Sequence, residues 1–129
     1  MASFTLLVTS APFSDQGSNS AYRFSLAALE AGHTINGVFF YENGTLNGNS
    51  LQISASDEFD LLNAWQALVT QHKVPLKVCV NAATKRGVTN AQDAEESDKL
   101  HFSLSNNFES VGLGDLAVLI KDSDRLVQF

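Results

Sequence analysis

Cysteine is almost absent from this chain: Cys79 is the only one among 129 residues. A single cysteine excludes an intramolecular disulfide, and a reducing compartment would keep its thiol free for chemistry. Long apolar runs are lacking near the start, where the stretch 4–8 follows no basic run and is far too short to span a bilayer. We therefore expect a cytoplasmic protein without a signal peptide, a transmembrane helix or membrane contact.

Positive charge is also scarce. The chain has 8 basic residues against 14 acidic ones, which gives a formal net charge of -6. A protein with this balance repels a phosphate backbone, so direct nucleic-acid binding is not expected.

Motifs for metals and nucleotides are missing as well. His33, His72 and His101 are the only histidines, and their spacing builds no metal site. Neither GxxxxGK[ST] nor GxGxxG occurs, so the hydroxyl-rich loop 12–20 only weakly suggests a phosphate site. The sequence predicts no metal and no organic cofactor.

The composition is that of an ordinary globular protein, with 44% hydrophobic and 17% charged residues. At this length we expect one domain, residues 1–129, with a continuous core. Apolar, β-branched runs predict strands at 3–9, 35–41, 76–80 and 125–129, and a glycine- and asparagine-rich loop at 42–49.

Helical spacing of apolar residues predicts a helix from Ala21 to about Ala31, capped by Ser18 or Ser20. A second helix lies in 54–72, where Leu61, Trp65 and Leu68 repeat at helical spacing. A short helix follows Cys79 and ends before Gly87, and another helix lies in 112–124. Residues 88–107 predict a loop with some helix. This alternation predicts an α/β fold: a single-domain, three-layer sandwich with a mainly parallel sheet, close to the flavodoxin-like layout.

Cys79 is the main candidate for chemistry. It lies at the predicted carboxyl end of a strand and the start of a helix, where sites of α/β proteins form and where backbone amides favour a thiolate. Lys85 and Arg86 could add positive potential. The alternative is that Cys79 is a small buried core residue, since free cysteine is among the most buried residue types.

Two other chemistries have less support. A Cys–His hydrolase would need His101 to reach Cys79 from a segment whose fold the sequence does not predict. Asp57, Glu58 and Asp60 could be paired acid and base groups, but their place at a helix start is better explained by capping and the helix dipole.

Six segments together resemble the DsrE family. In chain order they are SNSAYRFSLAALEAGH, VFFYENG, ASDEFDLLNAWQAL, VCVNAATKRGV, VGLGDL and DRLVQF. The likeness covers nearly the whole chain in unbroken order, with only 88–107 matching loosely, and it is closest to the branch that serves transfer-RNA thiolation.

The resemblance implies a sulfurtransferase subunit in a relay that supplies sulfur for 2-thiouridine at the wobble position of transfer RNA. It implies TusB-like and TusC-like subunits in a heterohexamer, a TusA-like sulfur donor and a TusE-like acceptor. The family's active cysteine corresponds to Cys79, which would carry sulfur as a persulfide. Two alternatives remain: a DsrE subunit of dissimilatory sulfur oxidation, and a non-catalytic scaffold in which Cys79 is inert.

Overall fold

The computed structural model describes all residues 1–129. Its strands are β1 Ser3–Val8, β2 Thr34–Phe40, β3 Leu76–Cys79, β4 Phe108–Val111 and β5 Arg125–Gln128. Its α-helices are α1 Gly17–Glu30, α2 Leu61–His72, α3 Val80–Lys85, α4 Ala91–Glu96 and α5 Leu113–Asp122. A 3₁₀ helix spans Glu42–Gly48.

All five strands form one parallel sheet in the order β4-β3-β2-β1-β5. The prediction of a three-layer α/β domain with a parallel sheet is confirmed. The strand order differs in detail from the flavodoxin order 2-1-3-4-5, because the chain here moves outward from β1 to β4 before β5 returns to the other side of β1.

The two faces of the sheet carry unequal cores. On one face, α1 and α2 cover a cluster of 17 buried residues centred on Trp65, whose ring meets Phe40 edge to face at 5.1 Å. On the other face, only α5 covers the sheet, over the small cluster Phe39, Cys79 and Ala82. The alternation Leu76, Lys77, Val78, Cys79 along β3 sends its apolar pair into the large core and Lys77 with Cys79 towards α5.

A buried polar network fastens the large core to the loops above it. The Trp65 indole N–H donates to Asn47 Oδ1 at 3.1 Å, and Asn47 Nδ2 donates to Ser18 Oγ at 3.0 Å. Ser18 in turn donates to the Ser10 carbonyl at 2.8 Å. These bonds join α2, the 3₁₀ helix, α1 and the loop after β1, because each buried polar atom needs a partner.

Several sequence-based boundaries were wrong. Helix α1 begins at Gly17 instead of Ala21, and its N-cap is Gln16 with no capping side chain. Ser18 therefore lies inside the helix, where its hydroxyl donates to the Ser10 carbonyl. Helix α2 begins at Leu61 behind the N-cap Asp60, whose carboxylate accepts from the Asn63 amide, so residues 56–58 precede the helix.

Two elements were not predicted at all. Residues 42–48 form a 3₁₀ helix where a loop was expected, and the strand β4 was missed. The predicted strands at 3–9, 35–41, 76–80 and 125–129 are confirmed within one residue of each end. The short helix after Cys79 and the helix within 112–124 are also confirmed.

Candidate functional site

The carboxyl ends of β3 and β4 lie side by side, with Cys79 paired in register with Val111. The chain leaves β3 towards the large core, where Ala83 and Val88 are buried, but leaves β4 into α5 on the opposite face. Ligands of open α/β sheets bind in the crevice that opens where neighbouring strands send their connections to opposite faces. The topology therefore places a crevice at Cys79.

Cys79 lies at the base of this crevice. It is the last residue of β3 and the N-cap of α3, and only 5% of it is exposed. Its cluster neighbours include Phe39 from β2 and Leu116 and Leu119 from α5. The sulfur accepts no capping hydrogen bond, so the expected stabilisation of a thiolate by helix amides is not formed in this geometry.

The crevice is an open pocket of about 550 Å³ with three walls. Tyr41 and Glu42 follow β2, the first turns of α3 rise from Cys79 itself, and Gly112 with Leu113 follows β4. Leu113 is 50% exposed at the mouth. Gly112 and Leu113 lie within the helix predicted at 112–124, but they follow a strand that sequence reasoning missed, and Glu42 belongs to a segment that it assigned to a loop.

The pocket carries a small excess of positive charge in an acidic protein. Lys85 and Arg86 line it with a single carboxylate, Glu42, and none of the three forms an ion pair. The sequence suggested both cations as sources of positive potential without giving their distance from Cys79, and the structure places both in the lining of its pocket. Cationic side chains in a pocket attract anionic groups of a ligand or partner that enters it.

Arg86 is held in place by two hydrogen bonds. Its Nε donates to Asn43 Oδ1 at 2.9 Å, and its Nη1 donates to the Ala82 carbonyl at 3.0 Å. These bonds tie α3 to the 3₁₀ helix and leave Nη2 free of protein partners. The guanidinium is therefore oriented before any ligand arrives, which lowers the entropy that binding would cost.

The other candidate residues lie elsewhere. His101 is exposed between α4 and β4 and does not line the Cys79 pocket, so the structure gives no Cys–His pair there. His33 accepts the Ala2 amide at 2.9 Å, and His72 ends α2. No three His, Cys, Asp or Glu side chains come together as a metal site would require.

Two of the acidic side chains in the segment 57–60 accept hydrogen bonds from nearby backbone amides. Asp60 caps α2, and Glu58 Oε1 accepts the Ala55 amide at 3.0 Å. Glu58 also lines a second pocket of about 530 Å³, together with Asp15 and Arg23 at the start of α1. Acidic side chains outnumber basic ones in that pocket, which disfavours a phosphate-binding site at the loop 12–20.

Comparisons with known proteins identify the family of this chain. Residues 2–129 match the profile of the DsrE/DsrF-like family. The chain belongs to this family. Its whole length also superposes on the crystal structure of the ychN protein from E. coli with a TM-score of 0.80, at 18% sequence identity and with 100% of both chains covered. That likeness supports the fold assignment.

Family relatives cover the chain almost completely. Sulfurtransferase TusD of Pectobacterium carotovorum is 46% identical over 129 residues, with 100% of both chains covered. Sulfurtransferase TusD of Photorhabdus laumondii is 46% identical over 127 residues, which cover 98% of this chain and 97% of the relative. A TusD homolog of Vibrio vulnificus is 44% identical over 126 residues, or 98% and 96% of the two chains.

These matches confirm two sequence-based predictions: membership of the DsrE family, closest to its TusD branch, and the sulfurtransferase class. As to membranes, no helix of the DsrE-family chain is long and apolar enough to cross a bilayer.

Proposed function

We propose that Cys79 is the sulfur-carrying residue of this sulfurtransferase. The observation that carries the proposal is that the only cysteine of the chain lies in the crevice between β3 and β4, in a pocket that Lys85 and Arg86 also line. Any sulfur held covalently on a thiol of this chain must be held there. The resemblance of 78–88 to the active-cysteine segment of the family gives the same assignment.

The transfer needs no cofactor. The Cys79 thiolate attacks the outer sulfur of a donor persulfide, R–S–SH, forming one S–S bond and breaking another, so that RS⁻ leaves and Cys79 holds S–SH. An acceptor thiolate then attacks that outer sulfur and Cys79 leaves as a thiolate. Loading exchanges one S–S bond for another and delivery restores the Cys79 thiolate, so the protein undergoes no net redox change over the cycle. With no second cysteine to resolve the persulfide as a disulfide, transfer passes between proteins.

The proposed pathway is the synthesis of transfer-RNA 2-thiouridine in the cytoplasm. The relatives named TusD support it, and the resemblance supplies the partners: TusB-like and TusC-like subunits in a heterohexamer, a TusA-like donor and a TusE-like acceptor. The net charge of -6 agrees with a member that meets proteins and leaves contact with the RNA to others.

The deciding experiment is intact-mass spectrometry after incubation with a persulfide-loaded carrier protein. We expect a gain of one sulfur atom that a reductant removes and that the Cys79→Ser variant does not show. The assay is run on the isolated chain and on the chain mixed with TusB-like and TusC-like subunits. A chain that gains no sulfur under either condition would contradict the proposal.

Two alternatives make different predictions. A scaffold with an inert Cys79 resists alkylation when native, even in the complex, and reacts fully when unfolded; the 5% exposure of Cys79 is the observation that favours it. A sulfur-oxidation subunit would load Cys79 in the same way. It is distinguished by genetic loss, which would abolish growth on reduced sulfur compounds and leave 2-thiouridine levels unchanged.

A further inference from the structure

Helix α5 covers the face of the sheet to which Cys79 points, here called the α5 face. The two ends of the helix are attached to the sheet by different interactions. At the carboxyl end, the Thr5 hydroxyl donates to the Leu119 carbonyl at 3.1 Å and meets Ser123 Oγ at 2.7 Å. Asn36 Nδ2 adds bonds to the Asp122 carbonyl at 3.1 Å and Ser123 Oγ at 2.8 Å. This end is tied to both β1 and β2.

The amino-terminal half of α5 has one polar tie to the sheet. Lys77 Nζ lies 3.1 Å from Asp115 Oδ2, and this is the only ion pair in the structure. No other side-chain hydrogen bond joins residues 112–118 to the rest of the chain. The Lys77 side chain is 20% exposed and that of Asp115 is 44% exposed, so the pair is partly shielded from water.

This ion pair lies next to Cys79. Lys77 is two residues before Cys79 on β3 and points to the same face of the sheet. The Asp115 amide donates to the Gly112 carbonyl at 3.2 Å, so Asp115 shares a turn with Gly112 and Leu113, which form one wall of the Cys79 pocket. Displacing this turn would open the pocket above the sulfur.

We infer that Lys77 and Asp115 are positioning residues whose ion pair fixes the first turn of α5 against β3 and thereby limits access to Cys79. The inference rests on the proposed carrier role of Cys79, but the experiment that tests it does not require that role. The pair holds this wall of the pocket against β3, where Cys79 is only 5% exposed. A sulfur donor reaches the thiol when this turn moves away from the sheet, with the carboxyl end of α5 as the fixed point.

The test is the rate at which neutral iodoacetamide alkylates Cys79 in the native protein. Asp115→Asn keeps the shape of the side chain and breaks the ion pair, so we expect alkylation to be about threefold to fivefold faster, the range for losing a partly exposed pair. Glu109→Gln is the matched control. Glu109 lies opposite Lys77 in the β3–β4 register and forms no ion pair, so its change should leave the rate within twofold.

Substitutions of Lys77 distinguish a positioning role from a direct effect of its charge on the Cys79 sulfur. Lys77→Met also opens the turn and should speed alkylation, whereas a role for the ammonium in stabilising the thiolate predicts slower alkylation. Lys77→Arg keeps the pair and should restore the native rate. In Asp115→Asn, local opening raises the rate by one factor at every pH, whereas a charge effect moves the pH of half-maximal rate.

Equal rates for Asp115→Asn, Glu109→Gln and the native chain would overturn the inference, as would opposite effects of Asp115→Asn and Lys77→Met. Sulfur loading is measured on the same variants. Faster alkylation in a chain that never gains sulfur would support the positioning role and contradict the carrier role. Normal sulfur loading with an unchanged alkylation rate would support the carrier role and contradict the positioning role.

Discussion

Asn43 and Arg86 show how a residue outside a pocket can prepare it. Asn43 accepts the Arg86 Nε–H, and the Ala82 carbonyl accepts the Nη1–H. The guanidinium is thereby fixed in the lining of the Cys79 pocket before a donor binds. Lys85, which lines the same pocket, has no such partners. We assign the oriented charge of the site to Arg86.

Asn43→Ala should slow sulfur uptake by Cys79 about twofold to fivefold, because the released guanidinium must be ordered again when the donor binds. The rate is measured from the mass gain at a fixed donor concentration. Asn81→Ala is the matched control, since Asn81 lines the same pocket and forms no hydrogen bond with Arg86. If both variants load at the native rate, the orientation of Arg86 has no effect on transfer.

Asn47 is the central residue of the buried network and is 1% exposed. Asn47→Ala leaves the Trp65 indole N–H buried without an acceptor, and we expect the free energy of unfolding to fall by about 2–3 kcal/mol. Urea denaturation checks this value. Asn63→Ala, on the exposed side of α2, should change it by less than about 0.5 kcal/mol. A similar effect of the two substitutions would contradict the role of the network.

At the scale of elements, the start of α2 shows that a run of acidic residues near a helix start does not identify the capping residue. The acidic run 57–60 correctly indicated a helix start, but only Asp60 has its carboxylate on a free helix amide, that of Asn63. The choice among neighbouring acids depends on backbone angles that the sequence pattern does not contain.

Asp60→Ala should therefore lower the free energy of unfolding by about 1 kcal/mol, the usual loss on removing an aspartate N-cap. Asp57→Ala should change it by less than about 0.5 kcal/mol, because Asp57 precedes the helix. Thermal or urea unfolding of the two variants measures the difference. A larger effect for Asp57 would place the cap at the position that the sequence alone suggested.

The elements also explain which parts of the site were predictable. Periodicity revealed β3, and the small residues after it revealed α3, so Cys79 could be placed at a strand end. The positions of the pocket walls beside Cys79 could not be predicted. Residues 42–48 are rich in turn-forming types, yet they form a 3₁₀ helix over the site. The strand β4 has only four residues, and its sequence Phe-Glu-Ser-Val carries too little alternation to be recognised.

At the scale of the whole molecule, the two faces of the sheet differ in how firmly they are covered. Helices α1 and α2 bury residues in the 17-residue cluster, whereas α5 has no buried residue and keeps apolar side chains such as Val118 and Ile120 in contact with water. Opening one face therefore exposes much less apolar surface than opening the other.

This asymmetry predicts unequal local stability. Amides of α5 should exchange with deuterium at least tenfold faster than those in the middle of α2, because local opening on the α5 face needs less free energy than opening the main core. Native-state hydrogen exchange read by mass spectrometry tests this. Equal protection of the two helices would show that the domain opens only as one unit.

The burial of Cys79 decides which sulfur atom a partner protein can reach. A persulfide adds one S–S bond, so the outer sulfur stands about 2 Å beyond the thiol that holds it. With Cys79 only 5% exposed, the empty carrier keeps its nucleophile recessed, while the loaded carrier presents its cargo nearer the mouth of the pocket. A partner thiolate therefore needs to reach only the outer sulfur, while the Cys79 sulfur itself stays buried. The same depth limits loading and delivery alike, because both steps pass through the same line of three sulfur atoms.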